Sequence, residues 1–178
     1  LDVLLVEDDT ALRRSLAQTL ELAGMDVAQA DGYAEAARVL QGKFRGVVLS
    51  DIRMPDRDGF DVMTLARAQD MDTPVILLTG EGDVPTAVRA MNEGAYDFLE
   101  KPCAPDHLVK VLRPALDHRS LLDRNRLMER QLRHSDPAAT NFPGPSEPVR
   151  ALRQSLRKAA GLPVHMHLFG AKGAGKRL

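Results

Sequence analysis

Short apolar runs alternate with helical patterns through the first two thirds of the chain, and this alternation is its most restrictive feature. The runs that read as strands fall at residues 3–6, 25–30, 47–49, 75–78 and 96–99. Strands that alternate with helices form a parallel sheet with helices on both faces. The pattern therefore predicts an α/β fold with a doubly wound five-stranded parallel sheet, whose ligand crevice lies at the carboxyl ends of the strands.

The last third of the chain has a different pattern, which sets the predicted boundaries. Residues 1–118 contain the five strand–helix units, and residues 119–135 read as a helix. In that helix, alternating four- and three-residue steps separate Leu121, Asn125, Met128 and Leu132, as in a coiled-coil seam. We therefore expect a linker helix that forms a homodimer through a short coiled coil, with a solvated or locally packed tail helix as the alternative. Residues 136–148 contain four prolines and a glycine, which predicts a flexible linker.

Composition narrows the class of protein. The formal net charge is −1, so no overall electrostatic attraction to nucleic acid or to an anionic membrane is expected. One cysteine, Cys103, excludes an intrachain disulfide and suggests a reducing compartment. No apolar run approaches the roughly 18 residues that a membrane-spanning helix needs. These features predict a cytoplasmic protein with no membrane partner.

Polar residues stand at the ends of four predicted strands. Glu7 and Asp8 follow the first, Asp51 the third, Thr79 the fourth and Lys101 the fifth. Because these strand ends are neighbours in a doubly wound sheet, we expect the side chains to converge. Gathered carboxylates repel one another without a cation, and hard oxygen ligands suit Mg²⁺. Each residue alone fits an ordinary turn or cap, and the joint pattern carries the prediction.

The chemistry expected of this pocket is phosphoryl transfer. A carboxylate beside Mg²⁺ stays ionised and can attack phosphorus, which gives an acyl phosphate. The metal and Lys101 would then neutralise charge on the phosphoryl oxygens. The hydroxyl of Thr79 could donate a hydrogen bond to one of them.

The motifs around these residues resemble those of bacterial response-regulator receiver domains. They are Val-Glu-Asp-Asp at 6–9, Asp-Ile-Arg-Met-Pro at 51–55, Thr-Gly at 79–80 and Gly-Ala-Tyr-Asp-Phe-Leu-Glu-Lys-Pro at 94–102. The resemblance covers residue 1 to about residue 119. It implies a flavodoxin-like receiver fold, Asp51 as the phosphoacceptor, Lys101 as the phosphate-contacting lysine and a sensor histidine kinase as partner.

The resemblance also implies further roles within the pocket. Asp8 would be the direct Mg²⁺ ligand, and Glu7 would act mainly through water. The backbone carbonyl of Arg53 would complete the protein's contacts with the metal. Thr79 and Tyr96 would form a switch pair, in which phosphorylation draws the threonine inward and the tyrosine turns into the vacated space.

A segment rich in Gly and Lys near the end of the chain, residues 170–176, fits a P-loop. In such a loop Gly170 and Gly175 let backbone donors approach a phosphate, and Lys176 reaches the β- and γ-phosphates. Arg177 stands where the general motif has the Ser or Thr that holds Mg²⁺. A flexible tail is the alternative.

Receiver, linker helix and P-loop in this order resemble sigma-54-dependent enhancer-binding activators of the nitrogen-regulatory and dicarboxylate-transport types. Residues 149–178 would then be a truncated piece of an AAA+ ATPase domain. The resemblance implies a two-component response regulator, not an enzyme, in which phosphorylation switches receiver dimerisation. The full-length protein would bind ATP, DNA and sigma-54 RNA polymerase, whereas ATP hydrolysis is not expected of these 178 residues.

Two other interpretations fit the residues less well. A Mg²⁺-dependent phosphatase or hydrolase also uses an aspartyl nucleophile on an α/β sheet. Such an enzyme requires a second Asp as general acid two residues after the nucleophile, and Arg53 occupies that position. A P-loop nucleotide-binding protein would need the remainder of such a domain, and these 178 residues do not contain it.

Overall fold

The structure is a computed structural model that describes residues 1–42, 44–80, 84–135, 141–142, 144–160 and 162. The chain divides into two compact units, Leu1–Asp123 and Arg124–Leu178. The first unit contains strands β1 (Val3–Val6), β2 (Val27–Ala30), β3 (Val47–Asp51), β4 (Val75–Thr79) and β5 (Asp97–Glu100). Between them lie helices α1 (Thr10–Leu22), α2 (Tyr33–Gln41), α3 (Gly59–Gln69) and α4 (Val84–Asn92), and α5 (Pro105–Ser135) follows β5.

All five strands form one parallel sheet in the order β2-β1-β3-β4-β5. This is the flavodoxin-like order of doubly wound sheets. Every residue of β1, β3 and β4 is buried, because helices cover both faces of the sheet and leave no solvated side. The predicted fold class is therefore confirmed.

Alternating side chains of the strands form two hydrophobic cores, one on each face of the sheet. Leu5 and Leu49 pack with residues of α1 and α5. Leu4 and Leu77 pack with residues of α2, α3 and α4. Because successive strand residues point to opposite faces, the short apolar runs serve both cores at once, which is why they read as continuous rather than alternating in the sequence.

Two aspartates fix the loops that lead from the strands into the following helices. Asp9 is the N-cap of α1 and accepts hydrogen bonds from the backbone N–H groups of Ala11 and Leu12. Asp58 caps α3 in the same way. Gly59 follows it, and a Cβ there would lie 2.4 Å from the carbonyl oxygen of Asp51. Only glycine fits this contact, so α3 starts directly against the end of β3.

The linker helix predicted at residues 119–135 is present as the continuation of α5, which runs unbroken to Ser135 with Pro114 inside it. In the predicted seam, Leu121 is 57% exposed and Met128 is 58% exposed. The coiled coil and the division into four predicted segments stay predictions.

The second unit contains α6 (Glu147–Ala159), which begins inside the linker predicted at residues 136–148. Arg153 of this helix donates hydrogen bonds to the carbonyls of Phe142 and Gly144. No helix among the described residues has the length and apolar character needed to cross a membrane.

Candidate functional site

The site lies where four strands end. Asp51 is the last residue of β3 and Thr79 is the last residue of β4. In the register of the sheet Asp51 pairs with Leu78, and Thr79 pairs with Glu100, the residue before Lys101. The parallel topology thus gathers residues from four separate parts of the sequence at one edge.

Three carboxylates meet at this edge. One oxygen from each of Glu7, Asp8 and Asp51 lies within 4.8 Å of the others. Glu7 and Asp51 are buried, whereas Asp8 is exposed. A set of hard oxygen donors that is open to water on one side fits Mg²⁺, which binds few carboxylates and keeps several waters. The donor chemistry of the site therefore suits the predicted metal.

Lys101 joins the cluster from the end of β5. Its Nζ lies 2.6 Å from Oε2 of Glu7 and 3.0 Å from Oδ1 of Asp51. Burial by itself would lower the pKa of Lys101, but the hydrogen bonds to the two carboxylates outweigh it, and the pKa lies above its ordinary value. Lys101 therefore stays protonated and offsets part of the negative charge.

The carboxyl group of Glu7 lies in an environment that disfavours its charged form. Burial raises the pKa of its carboxyl, and the hydrogen bond from Lys101 does not fully offset that effect. The neighbouring charge of Asp51 acts in the same direction as burial. The ammonium of Lys101 therefore does not fully offset the burial of the Glu7 carboxylate.

Thr79 and Arg53 lie beside the acidic cluster. Thr79 is buried, and its hydroxyl donates a hydrogen bond of 3.3 Å to the carbonyl of Gly80. Arg53 is exposed in the loop between β3 and α3, two residues after Asp51. The metal-binding role of its backbone carbonyl stays a prediction.

Tyr96 is not brought to this site. Its backbone N–H donates to the carbonyl of Val75, the first residue of β4, whereas Thr79 is the last residue of that strand. Four residues of strand span about 13 Å. The Tyr96 ring lies instead 5.7 Å from the ring of His118 in α5. The predicted pairing of Thr79 with Tyr96 is corrected accordingly.

The aromatic residue of β5 that lies nearer to Thr79 is Phe98. It is in register with Leu77 and is 38% exposed. Leu99 points into the core shared with α1 and α5, so Phe98 faces the opposite side of the sheet, where α4 packs. Counting residues back along the strand from Lys101 would have indicated Phe98 as the aromatic residue nearer to Thr79.

The predicted P-loop residues Gly170, Gly175 and Lys176 lie outside the described residues. Their role stays a prediction.

Comparisons with known proteins agree with this geometry. The family model of the response regulator receiver domain matches residues 3–113. The chain is 42% identical over 176 residues to the C4-dicarboxylate transport transcriptional regulatory protein DctD of Pseudomonas aeruginosa, and 41% identical over 178 residues to that of Rhizobium meliloti. Each match covers 99% of this chain and 38% of the relative. The chain thus spans about two fifths of the length of these curated relatives.

A solved structure shows the same similarity. The solution structure of the beryllofluoride-activated NtrC4 receiver domain dimer matches with a TM-score of 0.62 and 34% sequence identity. The match covers 66% of this chain and 98% of that chain. The similarity therefore extends over nearly the whole of that receiver domain.

Proposed function

Because the chain belongs to the family of response regulator receiver domains, we propose that it accepts a phosphoryl group on Asp51 in a Mg²⁺-dependent reaction. The observation that carries this proposal is the position of the Asp51 carboxylate. It lies 3.0 Å from the ammonium of Lys101 and within 4.8 Å of oxygens from Glu7 and Asp8. A nucleophile, a cationic group and the ligands for a divalent cation are thus side by side.

In the proposed reaction a carboxylate oxygen of Asp51 attacks phosphorus, and the bond from phosphorus to the donor atom breaks. The donor leaves with the bonding electron pair, and an acyl phosphate remains. Held by Glu7, Asp8, Asp51 and the carbonyl of Arg53, Mg²⁺ would supply positive charge for the phosphoryl oxygens.

Two further side chains would act on the phosphoryl group. Lys101, already within hydrogen-bond distance of Asp51, would donate to one phosphoryl oxygen. The hydroxyl of Thr79, now bonded to the Gly80 carbonyl, would exchange that bond for a charge-assisted one to another oxygen. This exchange would couple phosphorylation to the segment that follows β4.

Incubation with a small phosphodonor tests the metal dependence. The wild type should gain the mass of one phosphoryl group when Mg²⁺ is present. It should gain none after a chelator removes the metal, because the charge of the incoming phosphoryl group would then meet incompletely neutralised carboxylates. Intact-protein mass spectrometry reads the result, and equal labelling with and without Mg²⁺ would contradict the metal's proposed role.

In the proposed signalling sequence, a sensor histidine kinase donates the phosphoryl group to this domain, and the phosphorylated protein then controls transcription. The curated relatives named above are transcriptional regulatory proteins. We propose that the whole protein is a cytoplasmic sigma-54-type activator that binds DNA, with residues 149–178 as the start of its AAA+ domain. The relatives' role is regulatory, so the chain is proposed to act as a phosphoacceptor rather than as an enzyme with turnover.

The affinity for Mg²⁺ should fall as the pH decreases through the raised pKa of Glu7. Above that pKa the carboxylate is ionised and available, and below it a proton competes with the metal. The loss should reach up to about tenfold per pH unit. Mg²⁺ titrations by calorimetry from neutral to mildly acidic pH measure it.

Glu7→Gln is the control for this prediction. It removes the competing proton, so its affinity for Mg²⁺ should be weaker at neutral pH and should vary much less with pH. If the wild type and this variant show the same pH dependence, another group is responsible.

We propose that residues 119–135 form a homodimer through the seam of α5, and that phosphorylation switches this dimerisation. Support comes from the exposure of Leu121 and Met128 and from the similar NtrC4 receiver domain, which is a dimer. Residues 1–118 would be the receiver and residues 136–148 the flexible linker.

Replacing both exposed seam residues, Leu121→Glu with Met128→Glu, should raise the dimer dissociation constant at least about tenfold, because charges would replace apolar side chains that the proposed dimer would bury. Leu127→Glu is the matched control, since Leu127 is 56% exposed and lies off the seam. Sedimentation before and after phosphodonor treatment measures the change. A dimer that persists in the double variant would place the interface elsewhere.

A further inference from the structure

Arg13, in the first turns of α1, folds back over the end of β1. Its Nη1 donates hydrogen bonds to the backbone carbonyls of Glu7 and Asp8, at 2.6 Å and 3.3 Å. These are the two acids that precede the helix and contribute to the carboxylate cluster. One guanidinium group therefore contacts the backbone of both residues without touching their carboxylates.

These contacts replace sheet hydrogen bonds that end with the strand. The last β1 residue in register with β2 and β3 is Val6, and the backbone N–H of Glu7 still donates to the carbonyl of Ala30 at 3.1 Å. Beyond that point the acids lie in a loop. The carbonyl of Glu7 is partly buried and so needs a donor within the protein, which Arg13 provides.

The loop between β1 and α1 is thereby held along its whole length. The sheet fixes the N–H of Glu7, Arg13 binds the next two carbonyls, and the Asp9 carboxylate binds the start of α1. Fixing the backbone fixes the directions in which the side chains of Glu7 and Asp8 leave it. Those carboxylates repel each other and Asp51, so a loosely held loop would move them apart.

We propose that Arg13 is a positioning residue, which holds the Glu7–Asp8 loop in the geometry that Mg²⁺ requires. This inference rests on the proposed Mg²⁺-dependent function of the site. Arginine suits the role because its charge is permanent and its donors form a rigid planar fork. Residues that orient metal ligands without binding the metal commonly change its affinity when they are replaced.

Three variants of the full chain test the inference. Arg13→Gln removes the charge and the fork, Arg13→Lys keeps a charged donor of similar reach, and Arg14→Gln alters the neighbouring exposed arginine. Mg²⁺ titration should show an affinity about 10-fold weaker for Arg13→Gln. We expect a smaller loss for Arg13→Lys and the wild-type value for Arg14→Gln.

The inference also predicts a dependence on metal concentration. Labelling of Arg13→Gln by a small phosphodonor should be slow at low Mg²⁺ and recover towards the wild-type rate at saturating Mg²⁺. A defect that saturating metal does not relieve would overturn the inference, as would wild-type Mg²⁺ affinity in Arg13→Gln.

Thermal unfolding without Mg²⁺ separates positioning from folding. Arg13→Gln should melt close to the wild type, and a loss of folded protein that accounts for the weaker binding would overturn the inference. Failure of the proposed function would look different, because the wild type itself would then neither bind Mg²⁺ nor become labelled. That result would overturn both proposals.

Discussion

Asp51→Asn should abolish phosphoryl labelling while leaving the fold intact. The amide has nearly the shape of the carboxylate, so the end of β3 and its contact with Gly59 should persist. It lacks the negative charge that makes the oxygen a nucleophile, and it loses the ion pair with Lys101. The acids beside it, Glu7 and Asp8, are proposed to bind the metal and are not expected to replace it as acceptor.

Asp56→Asn is the matched control, since it makes the same chemical change at an exposed position of the same loop. Wild type and Asp56→Asn should each gain one phosphoryl group in the presence of Mg²⁺, as measured by intact-protein mass spectrometry. Equal labelling of Asp51→Asn would show that another side chain accepts the group and would end the assignment.

Asp70→Asn should lower the free energy of unfolding by about 3 kcal/mol, because it removes the closest counterion of a buried charge. Arg119 of α5 is 2% exposed, and its Nη2 lies 2.7 Å from Oδ2 of Asp70 at the end of α3. Asp123 lies farther away, at 3.6 Å. Nε and Nη1 of Arg119 have no hydrogen-bond partner among the residues that the structure describes.

A double-mutant cycle tests this expectation. Asp72→Asn makes the same change at an exposed neighbouring position and should alter the unfolding free energy by no more than about 0.5 kcal/mol. Combining Asp70→Asn with Arg119→Met removes both charges and should recover much of the loss. Urea denaturation compares five proteins: the wild type, Asp70→Asn, Arg119→Met, the double variant and the Asp72→Asn control. Equal effects of Asp70→Asn and Asp72→Asn would mean that the buried pair contributes little.

Much of the fold could be predicted because the strands of a buried parallel sheet are short continuous apolar runs. Strand ends were predicted to within one or two residues, and the predicted α/β class is confirmed. The resemblance to receiver domains, and among them to dicarboxylate-transport regulators, is also confirmed. The acidic cluster could be anticipated because parallel topology dictates which ends are neighbours.

The exact start of β5 and the side-chain contacts could not be obtained from the apolar runs and the topology. Tyr96 precedes β5, whereas the sequence pattern counted it as part of the strand, and that difference placed its ring closer to Thr79 than the structure does. The bond from Arg13 to the β1 loop depends on one side-chain rotamer. The ion pair of Arg119 with Asp70 joins residues 49 positions apart, and no repeating pattern in the sequence indicates that they meet.

The alternative of a Mg²⁺-dependent hydrolase has no added support from the structure. Such an enzyme needs an acid two residues after its nucleophile, and Arg53 occupies that position in an exposed loop. Hydrolysis also requires a group that activates water for rapid turnover. The proposed nucleophile, the ammonium of Lys101 and the proposed metal ligands would suffice for a single stoichiometric transfer.

The bond from Lys101 to Glu7 spans 94 positions of the chain, and this separation matters during synthesis. A ribosome delivers the first acids long before it delivers the lysine, and non-local contacts of this kind form late in folding. A nascent or truncated chain without its final strand would lack the ammonium group on which the pocket depends. Only a chain whose fifth strand has been made could then hold all the charged groups of the pocket in place.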